Sequence, residues 1–384
     1  MGDSARTTAL IVIRNMNEIA DTHASSHKQP SAALQPNDSR PDRTPFVSII
    51  TPCYNEQKTI HLLLEGIYHQ SYPRSAMEVV IADGGSTDAT REVIQAFQCS
   101  HPDLAIRVVP NPQRITPAAL NRALAAARGD ILIRLDAHAI PSPGYVARCV
   151  AALEQGLGDN VGGVWEIRPG SDRWVSRAIA VAAAHPFAVG DALYRRAPRC
   201  ATVVDTVPFG AFRRELFDRI GLFNEQLPIN EDYEFNARIR QHGGVIWLDP
   251  AIRSVYIARP TLRALAQQYW RYGFWKFRML LRHPKTVRWR QAAPPLFVAG
   301  LLGLSAGALM AAPARMALAL VFVAYSSTLT GAGIHAAVVR RDPGLAAGLP
   351  LAIATIHLSW GSGFLWSAAS HLIERRLPER IVPS

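Results

Sequence analysis

From residue 46 onward, short apolar stretches alternate with longer amphipathic ones. Four apolar stretches, at 47–51, 78–82, 106–109 and 131–135, are rich in β-branched residues and have the length of buried strands. The stretches between them have helical spacing, and the helix predicted from Thr116 carries Pro117 in its first turn, where proline is favoured. Strands that alternate with helices predict an α/β fold with a mainly parallel sheet and helices on both faces.

The stretch from about 160 to 260 is less regular. Strands are predicted at 161–167, 203–207 and 245–248, and a helix is predicted to begin at Glu231 with Asn230 as its cap. We therefore expect a single domain over residues 46–260, with a mixed second half that forms one side of the ligand site.

A different pattern begins at residue 261. The stretch 262–281 is amphipathic, and its basic residues alternate with aromatic ones: Arg263, Arg271, Lys276, Arg278 and Arg282 with Trp270, Tyr272, Phe274, Trp275 and Phe277. Such a helix can lie in a membrane interface, with its cations towards the lipid phosphates. We predict an interfacial helix region over 261–292. The alternative is an ordinary amphipathic helix packed on the domain.

Three long apolar segments follow, at 295–312, 316–339 and 345–373, and none of them contains Lys, Arg, Asp or Glu. Each has about the length that crosses a bilayer, so we predict about three transmembrane helices within 293–374 and a short tail at 375–384. The basic residues between 259 and 290 predict a cytoplasmic catalytic domain. Pro350 and the sequence Gly361-Ser362-Gly363 leave open a re-entrant pair in place of the third span.

Composition narrows the possible partners. The chain has 384 residues, with 41 Lys and Arg against 30 Asp and Glu, so its net charge is +11. This excess suits a phosphate-rich ligand or an anionic membrane surface, and no nucleic-acid-binding module is recognisable. The four cysteines form no CxxC pair, which argues against a zinc site. Residues 1–45 are rich in Ser, Asp and Pro and are predicted to be a disordered leader.

Two acidic residues stand where predicted strands end. Asp83 follows the strand at 78–82, and Asp136 ends the strand at 131–135. In an open α/β sheet such strand ends converge on one ligand-binding crevice. Asp83 is followed by Gly84-Gly85, so a nucleobase can approach it, although an aspartate that only caps the next helix has the same pattern.

Asp136-Ala137-His138 is a candidate metal site. A carboxylate and an imidazole at i and i+2 can hold Mg²⁺ or Mn²⁺, which would bridge a diphosphate. A hydrogen-bonded loop histidine is an equally good interpretation of His138.

The third acidic position is Asp232, at the predicted start of a helix. A carboxylate there stays ionised and can remove a proton from an acceptor hydroxyl, although acidic pairs are common at solvated helix starts. Arg271, three residues after Gln268, can contact the diphosphate or a lipid-linked acceptor. Its alternative is an arginine at the membrane surface.

Taken in order, these motifs resemble those of glycosyltransferase family 2 enzymes with a GT-A (Rossmann-like) fold. Within that family the chain is similar to membrane-associated transferases of succinoglycan-type exopolysaccharide assembly. The resemblance covers roughly residues 46–275 and rests on the segments 47–56, 83–88, 135–138, 209–214, 221–225 and 230–234.

The resemblance implies an inverting transfer from a nucleotide sugar. It implies that Thr51, Tyr54 and Glu56 line the nucleotide pocket beside Asp83, and that Asp136 serves the ribose and the metal. It also assigns the base to Asp232 and the acceptor wall to 209–214.

Two departures from the family pattern matter. The usual Asp-x-Asp is Asp136-Ala137-His138, which changes the expected metal geometry. The QxxRW motif of processive synthases is Gln268-Tyr269-Trp270-Arg271-Tyr272, and the long transmembrane bundle of those synthases is missing from the sequence. These features favour one sugar per encounter over polymer extrusion.

The sequence therefore predicts a hexosyltransferase at the bacterial inner membrane. We expect it to move glucose from UDP-glucose onto a polyprenyl-diphosphate-linked saccharide, alongside other polysaccharide-assembly proteins. A polyprenyl monophosphate as acceptor is the first alternative. A non-catalytic, membrane-anchored scaffold that binds nucleotide sugars is the second.

Overall fold

A computed structural model describes residues 44–286 and 288–376. The predicted leader at 1–45 therefore lies outside the described residues except for its last two positions, and the tail lies outside them beyond residue 376. Nine strands occur in the described residues: β1 Val47–Cys53, β2 Met77–Asp83, β3 Ala105–Pro110, β4 Ile131–Arg134, β5 Ile140–Pro141, β6 Asn160–Arg168, β7 Thr202–Val203, β8 Ala211–Arg213 and β9 Ile246–Ile257.

These strands form one twisted sheet in the order β3-β2-β1-β4-β8-β6-β9-β5, and β7 pairs with β9. Strands β3, β2, β1 and β4 are mutually parallel, whereas β8 runs antiparallel to both β4 and β6. The predicted mainly parallel α/β sheet is therefore confirmed. The expected mixed second half is present too, although the strand predicted at 203–207 is reduced to Thr202–Val203.

The helices of the sheet domain are α1 Ile60–Tyr68, α2 Thr90–Ser100, α3 Thr116–Ala126, α4 Tyr145–Glu154, α5 Trp174–Ala182, α6 Pro186–Val189, α7 Leu193–Arg196, α8 Glu215–Ile220 and α9 Glu231–Gln241. They cover both faces of the sheet. One core cluster contains Ile49 with residues of α1 and α4, and the other contains Ile50 with residues of α3 and α9. Because Ile49 and Ile50 are adjacent in β1, their side chains point to opposite faces.

Helix α10, Leu262–Leu280, has the predicted bounds but a different environment. Its buried face consists of Leu265, Tyr269, Gly273, Lys276 and Met279, and it packs lengthwise against the last helix of the chain. The interpretation of Lys276 as a cation turned towards lipid was therefore wrong, because only 1% of this residue is exposed. Arg263 and Arg271 are exposed, as expected.

Three helices follow, α11 Trp289–Ala308, α12 Ala312–Arg340 and α13 Gly344–Arg376, and each is long and apolar enough to cross a membrane. Helix α13 continues without a break through Pro350 and Gly361-Ser362-Gly363. The structure therefore does not form the break that a re-entrant pair would require. The 33 residues of α13 span about 50 Å at 1.5 Å per residue.

Candidate active site

The carboxyl ends of β2, β1 and β4 lie side by side in the sheet. Cys53 at the end of β1 pairs with Asp83 at the end of β2, and the amide of Leu135 donates to the carbonyl of Ile50 across β1 and β4. Because these strands are parallel, the loops that follow them leave from one edge of the sheet. This edge carries Thr51, Tyr54, Glu56, Asp83, Asp136 and His138.

Asp83 is buried, with 1% exposed, and already has strong partners. Its carboxylate accepts from the hydroxyl of Ser86 at 2.6 Å and from Nε of Arg91 at 2.6 Å. Burial raises the pKa of Asp83, but the hydrogen bonds from Ser86 and Arg91 outweigh that effect and hold the pKa below its usual value. Asp83 therefore remains an anion that orders the turn after β2.

Thr51 and Tyr54 differ in their exposure. Thr51 is fully buried, and its hydroxyl has no hydrogen-bond partner among the described residues. Tyr54 is 43% exposed and lies next to the backbone of Gly84, with the guanidinium of Arg114 5.6 Å from the centre of its ring. An exposed ring beside a glycine turn and a cation is a surface on which a nucleobase can stack.

His138 is oriented by a carboxylate. Its Nδ1 atom lies 3.2 Å from Oε1 of Glu56, so Nε2 remains available to a ligand. Burial lowers the pKa of His138, but the hydrogen bond to Glu56 and the charge of Asp136 outweigh burial and raise it. Asp136 accepts from Arg134 at 2.9 Å.

This donor set fits a divalent cation held mainly by substrate. A carboxylate that orients a histidine is the usual support for a metal-bound imidazole. No group of three or more His, Cys, Asp or Glu side chains that could hold a metal occurs in residues 44–286 and 288–376. Asp136 and His138 would supply two ligands, and phosphate oxygens and water would supply the rest, as Mg²⁺ sites on nucleotides commonly do.

Helix α9 places two acidic residues, Glu231 and Asp232, beside the candidate metal ligands Asp136 and His138. Arg134 bridges Asp136 and Glu231, at 2.9 Å and 2.8 Å. Burial, which is opposed by Arg134 and assisted by the charges of Asp232 and Asp136, raises the pKa of Glu231 to about 7. Asp232 makes no ion pair within the described residues, and its Oδ1 accepts from the amide of Tyr233 at 2.6 Å. In this part of the chain its carboxylate therefore keeps hydrogen-bonding capacity for a ligand in the cavity.

The predicted cap of this helix is only partly confirmed. Asn230 occupies the cap position, but its side chain makes no capping hydrogen bond and instead donates to the carbonyl of Tyr272 at 3.3 Å. Its backbone is left-handed, with φ of 67°. The contact ties the start of α9 to α10 at the edge of the site.

Asp136, His138 and Asp232 line one cavity of about 350 Å³ between the sheet edge, α9, α10 and the first and last apolar helices. The structure therefore brings the candidate metal ligands and the candidate base together. The cavity lining does not include Thr51, Tyr54, Glu56 or Asp83, which lie at the neighbouring strand ends, nor Arg271, which is exposed on α10.

Two cations that the sequence reasoning missed do line this cavity. Arg195, on α7, packs against Trp165 with its guanidinium carbon 4.8 Å from the ring centre, and donates to the hydroxyl of Tyr194. Lys276, on α10, lies over the ring of Tyr233 at 3.2 Å. Neither cation forms a salt bridge with a carboxylate in the described residues, which is unusual for a buried cation such as Lys276. Arg259 also lines the cavity.

Gln268, which the sequence analysis paired with Arg271, is instead held within the protein. Its amide donates to the hydroxyls of Tyr256 at 3.1 Å and Tyr272 at 3.0 Å. Tyr256 in turn stacks on Trp165 with ring centres 4.3 Å apart. Gln268 therefore braces the aromatic wall of the cavity.

Comparison with known proteins agrees with this geometry. The family model "Glycosyl transferase family 2" matches residues 48–221. Succinoglycan biosynthesis protein ExoA of Rhizobium meliloti (strain 1021) is 34% identical over 321 residues, which are 82% of this chain and 93% of that protein.

A dolichyl N-acetyl-alpha-D-glucosaminyl phosphate 3-beta-D-2,3-diacetamido-2,3-dideoxy-beta-D-glucuronosyltransferase of Methanococcus voltae is 27% identical over 64% of this chain and 77% of its own. Among solved structures, the mannosyltransferase PcManGT from Pyrobaculum calidifontis, in complex with GDP-Man and Mn²⁺, superposes with a TM-score of 0.57. It is 25% identical, and the match covers 86% of this chain and 90% of that one.

The structural match confirms the expected GT-A fold, and the full-length relative confirms the resemblance to exopolysaccharide enzymes. The chain therefore belongs to glycosyltransferase family 2 and is a glycosyltransferase.

Proposed function

We propose that the protein transfers a hexose, with glucose from UDP-glucose as the favoured donor, onto a saccharide linked to a polyprenyl diphosphate. The observation that carries this proposal is the composition of the cavity. Asp136 and His138 line it from the sheet edge, Asp232 lines it from α9, and Trp360 lines it from an apolar helix. A nucleotide sugar and a lipid-borne acceptor can therefore meet in one place.

In the proposed reaction, Asp232 accepts the proton of the acceptor hydroxyl while that oxygen attacks the anomeric carbon. The bond from the anomeric carbon to the diphosphate breaks, and the nucleoside diphosphate leaves with the bonding electrons on the opposite face. A divalent metal at Asp136 and His138, when bound, would neutralise the charge on the leaving diphosphate. Arg259, on the same cavity wall, adds a fixed positive charge.

A polyprenyl monophosphate is the second candidate acceptor. Lys276 forms no salt bridge within 44–286 and 288–376, and its position beside the helix of Asp232 favours a phosphate in this part of the cavity. An ionised phosphate oxygen has no proton to lose, so transfer to it would not depend on a base.

We place the enzyme in the inner membrane of a bacterium, with the sheet domain on the cytoplasmic side. Three helices long and apolar enough to span a bilayer support the membrane location. The basic residues between 259 and 290 support the orientation, because such residues accumulate on the cytoplasmic side.

The test is to incubate membranes that contain the protein with labelled nucleotide sugars and to follow the label into lipid. Asp232→Asn is expected to lower transfer by about 100-fold or more, because it removes the base. Binding of the nucleotide sugar should stay nearly unchanged. Asp218→Asn, an exposed aspartate on α8, is the matched control and should transfer normally.

The two acceptors separate in the same assay. If Asp232→Asn still transfers sugar to a polyprenyl monophosphate, the second candidate is correct. If the variant loses binding of the nucleotide sugar, Asp232 has a structural role and the assignment of the base is wrong.

A further inference from the structure

A second cavity, which we call the side cavity, adjoins the catalytic one and measures about 210 Å³. Its lining is largely apolar and aromatic and includes Phe187, Trp289, Ala293, Phe297 and Tyr325. Ala188, Arg290 and Pro294 line both cavities, so the two share a wall. Helices α11, α12 and α13 supply most of the side cavity, and α6 of the sheet domain closes it.

Specific hydrogen bonds hold the side cavity in shape. Nε2 of His357 on α13 lies 2.7 Å from the carbonyl oxygen of Phe187, and Nδ1 lies 2.9 Å from the hydroxyl of Tyr325 on α12. A carbonyl can only accept, so Nε2 carries the proton and Nδ1 accepts from the tyrosine. One imidazole thus joins α6 to two apolar helices. The rings of Phe297 and Tyr325 pack 4.7 Å apart.

Charged groups are concentrated at the shared wall. Arg290, of whose side chain 9% is exposed, donates to Asp205 at 2.5 Å, and the hydroxyl of Tyr233 donates to the same carboxylate at 2.9 Å. The ammonium of Lys276 lies over the ring of the same Tyr233, 3.2 Å from the ring centre. The four side chains form one continuous cluster.

Among the described residues, Lys276 is the cation of this cluster that forms no salt bridge. It is 1% exposed, and the hydrogen bond found for its ammonium within the described residues goes to the sulfur of Met279 at 3.4 Å. Burial lowers its pKa well below the usual value, although Asp232 and Asp205 oppose this effect. A buried ammonium that faces a cavity without an oxygen ligand is costly, so an anion bound there would complete the site.

We propose that the side cavity holds the first isoprene units of a prenyl phosphate, and that Lys276 and Arg290 hold its phosphate. A prenyl phosphate joins a branched apolar chain directly to an anion, which matches an aromatic cavity that shares a wall with buried cations. The apolar helices lead the chain in from the bilayer. Asp232 is adjacent to Tyr233 in α9, so the phosphate would lie beside Asp232, which is the arrangement that the second candidate acceptor, a polyprenyl monophosphate, requires. The identification of the ligand as the acceptor rests on the proposed function.

The proposal predicts a specific labelling pattern. The probes are farnesyl phosphate with a photoreactive diazirine at the far end of its chain, and unlabelled farnesyl phosphate, farnesol and inorganic phosphate as competitors. With the full-length protein in detergent, label should attach to the segments that contain Phe187 and 289–297. Farnesyl phosphate should compete at least about tenfold better than farnesol or inorganic phosphate. Farnesol lacks the phosphate, and inorganic phosphate lacks the isoprenoid chain.

Two variants with a matched control sharpen the test. Ala293→Trp fills the side cavity from an exposed position on α11 and should reduce labelling about tenfold or more. Ala299→Trp adds the same ring at an exposed position of the same helix that lines neither cavity, and should label normally. Lys276→Gln should abolish the advantage of farnesyl phosphate over farnesol.

Equal labelling of Ala293→Trp and Ala299→Trp would overturn the proposal, as would label spread over the outer surfaces of α11 and α12. Equal competition by farnesol and farnesyl phosphate would show that the phosphate is not recognised. Labelling does not require a nucleotide sugar. A protein that labels as predicted but transfers no sugar would contradict the proposed function and leave this inference intact.

Discussion

At the scale of single residues, buried carboxylates outside the cavity are surrounded by hydrogen-bond donors. Glu78 is the clearest case: it is 1% exposed and accepts from Ser48 at 2.7 Å, from Arg107 at 2.8 Å and from the amide of Arg128 at 2.6 Å. This network joins β1 and β2 to the loop before β4. Lys276, in contrast, has no oxygen partner within the described residues, and this difference is the basis for proposing a ligand there.

Glu78 predicts a dependence of stability on pH. Burial raises its pKa, but the hydrogen bonds from Ser48, Arg128 and Arg107 outweigh burial and hold the pKa below the usual value of 4.5. A group with a lowered pKa stabilises the fold above its unfolded pKa, and this contribution is lost as the pH falls through the folded value. Stability should therefore decline below about pH 4.5.

Glu78→Gln should lower the free energy of unfolding by about 1–3 kcal/mol at pH 7 and flatten its decline in acid. The measurement is the midpoint of thermal unfolding in detergent between pH 3 and pH 7. Glu92→Gln, an exposed glutamate on α2, is the control and should behave like the wild type. Wild-type behaviour of Glu78→Gln would show that the network does not stabilise the sheet.

The sequence contained a signal for the position of Lys276. Residues 265, 269, 273, 276 and 279 recur at helical spacing, and four of the five are Leu, Tyr, Gly and Met. We grouped Lys276 with the other cations of the helix by composition, whereas its spacing places it on the buried face. No such signal existed for Arg195, because α7 has four residues and its position depends on contacts with distant strands.

At the scale of elements, the first four strands were predictable, whereas the short helices and the short strands β5 and β8 were not, and β9 extends to Ile257 beyond the predicted 245–248. Strands β1, β2, β3 and β4 are runs of β-branched residues that the local pattern defines within two residues of their ends. Helices α6 and α7 are single turns, and tertiary contacts decide such turns. They nevertheless supply Ala188 and Arg195 to the cavity, so a pattern-based prediction misses this part of the wall.

Helices α10 and α13 approach each other closely through glycine. A Cβ atom on Gly273 would overlap the carbonyl oxygen of Trp360, and one on Gly363 would overlap that of Trp270. Small residues at such crossings allow backbones to touch, which is how apolar helices associate in membranes. This contact sets the separation of Lys276 and Trp360 across the cavity.

Gly273→Ala should therefore push α13 away from α10 and lower the unfolding temperature. Because α10 and α13 both line the cavity, their separation should also reduce sugar transfer by about tenfold or more. Gly300→Ala on α11, where an added methyl group meets nothing within 4 Å, is the matched control. The readouts are thermal unfolding and transfer of labelled sugar to lipid. Normal transfer by Gly273→Ala would show that the glycine contact does not position the cavity.

At the scale of the whole molecule, three separate parts of the chain enclose the cavity. The sheet edge supplies Asp136, helices α9 and α10 supply Asp232 and Lys276, and the apolar helices supply Arg290 and Trp360. The sequence predicted each of these regions but assigned them to successive domains. Their convergence brings residues between positions 116 and 360 around one cavity, and local patterns do not contain this information.

A chain that ends at residue 288 tests this arrangement. It keeps every strand and the candidate metal ligands but lacks the wall that contains Arg290, Pro294, Ile356 and Trp360. We expect it to bind nucleotide sugar and to transfer none to lipid, as measured side by side with the full-length protein. Transfer at the full-length rate would show that the apolar helices serve only as an anchor.

The late position of Trp360 has a consequence for biosynthesis. During translation the entire sheet leaves the ribosome while the final helix is still unmade, and the reaction chamber at that stage is open on one side. On the proposed function, we therefore expect sugar transfer to begin only once the helix that contains Trp360 has been made and has closed the cavity.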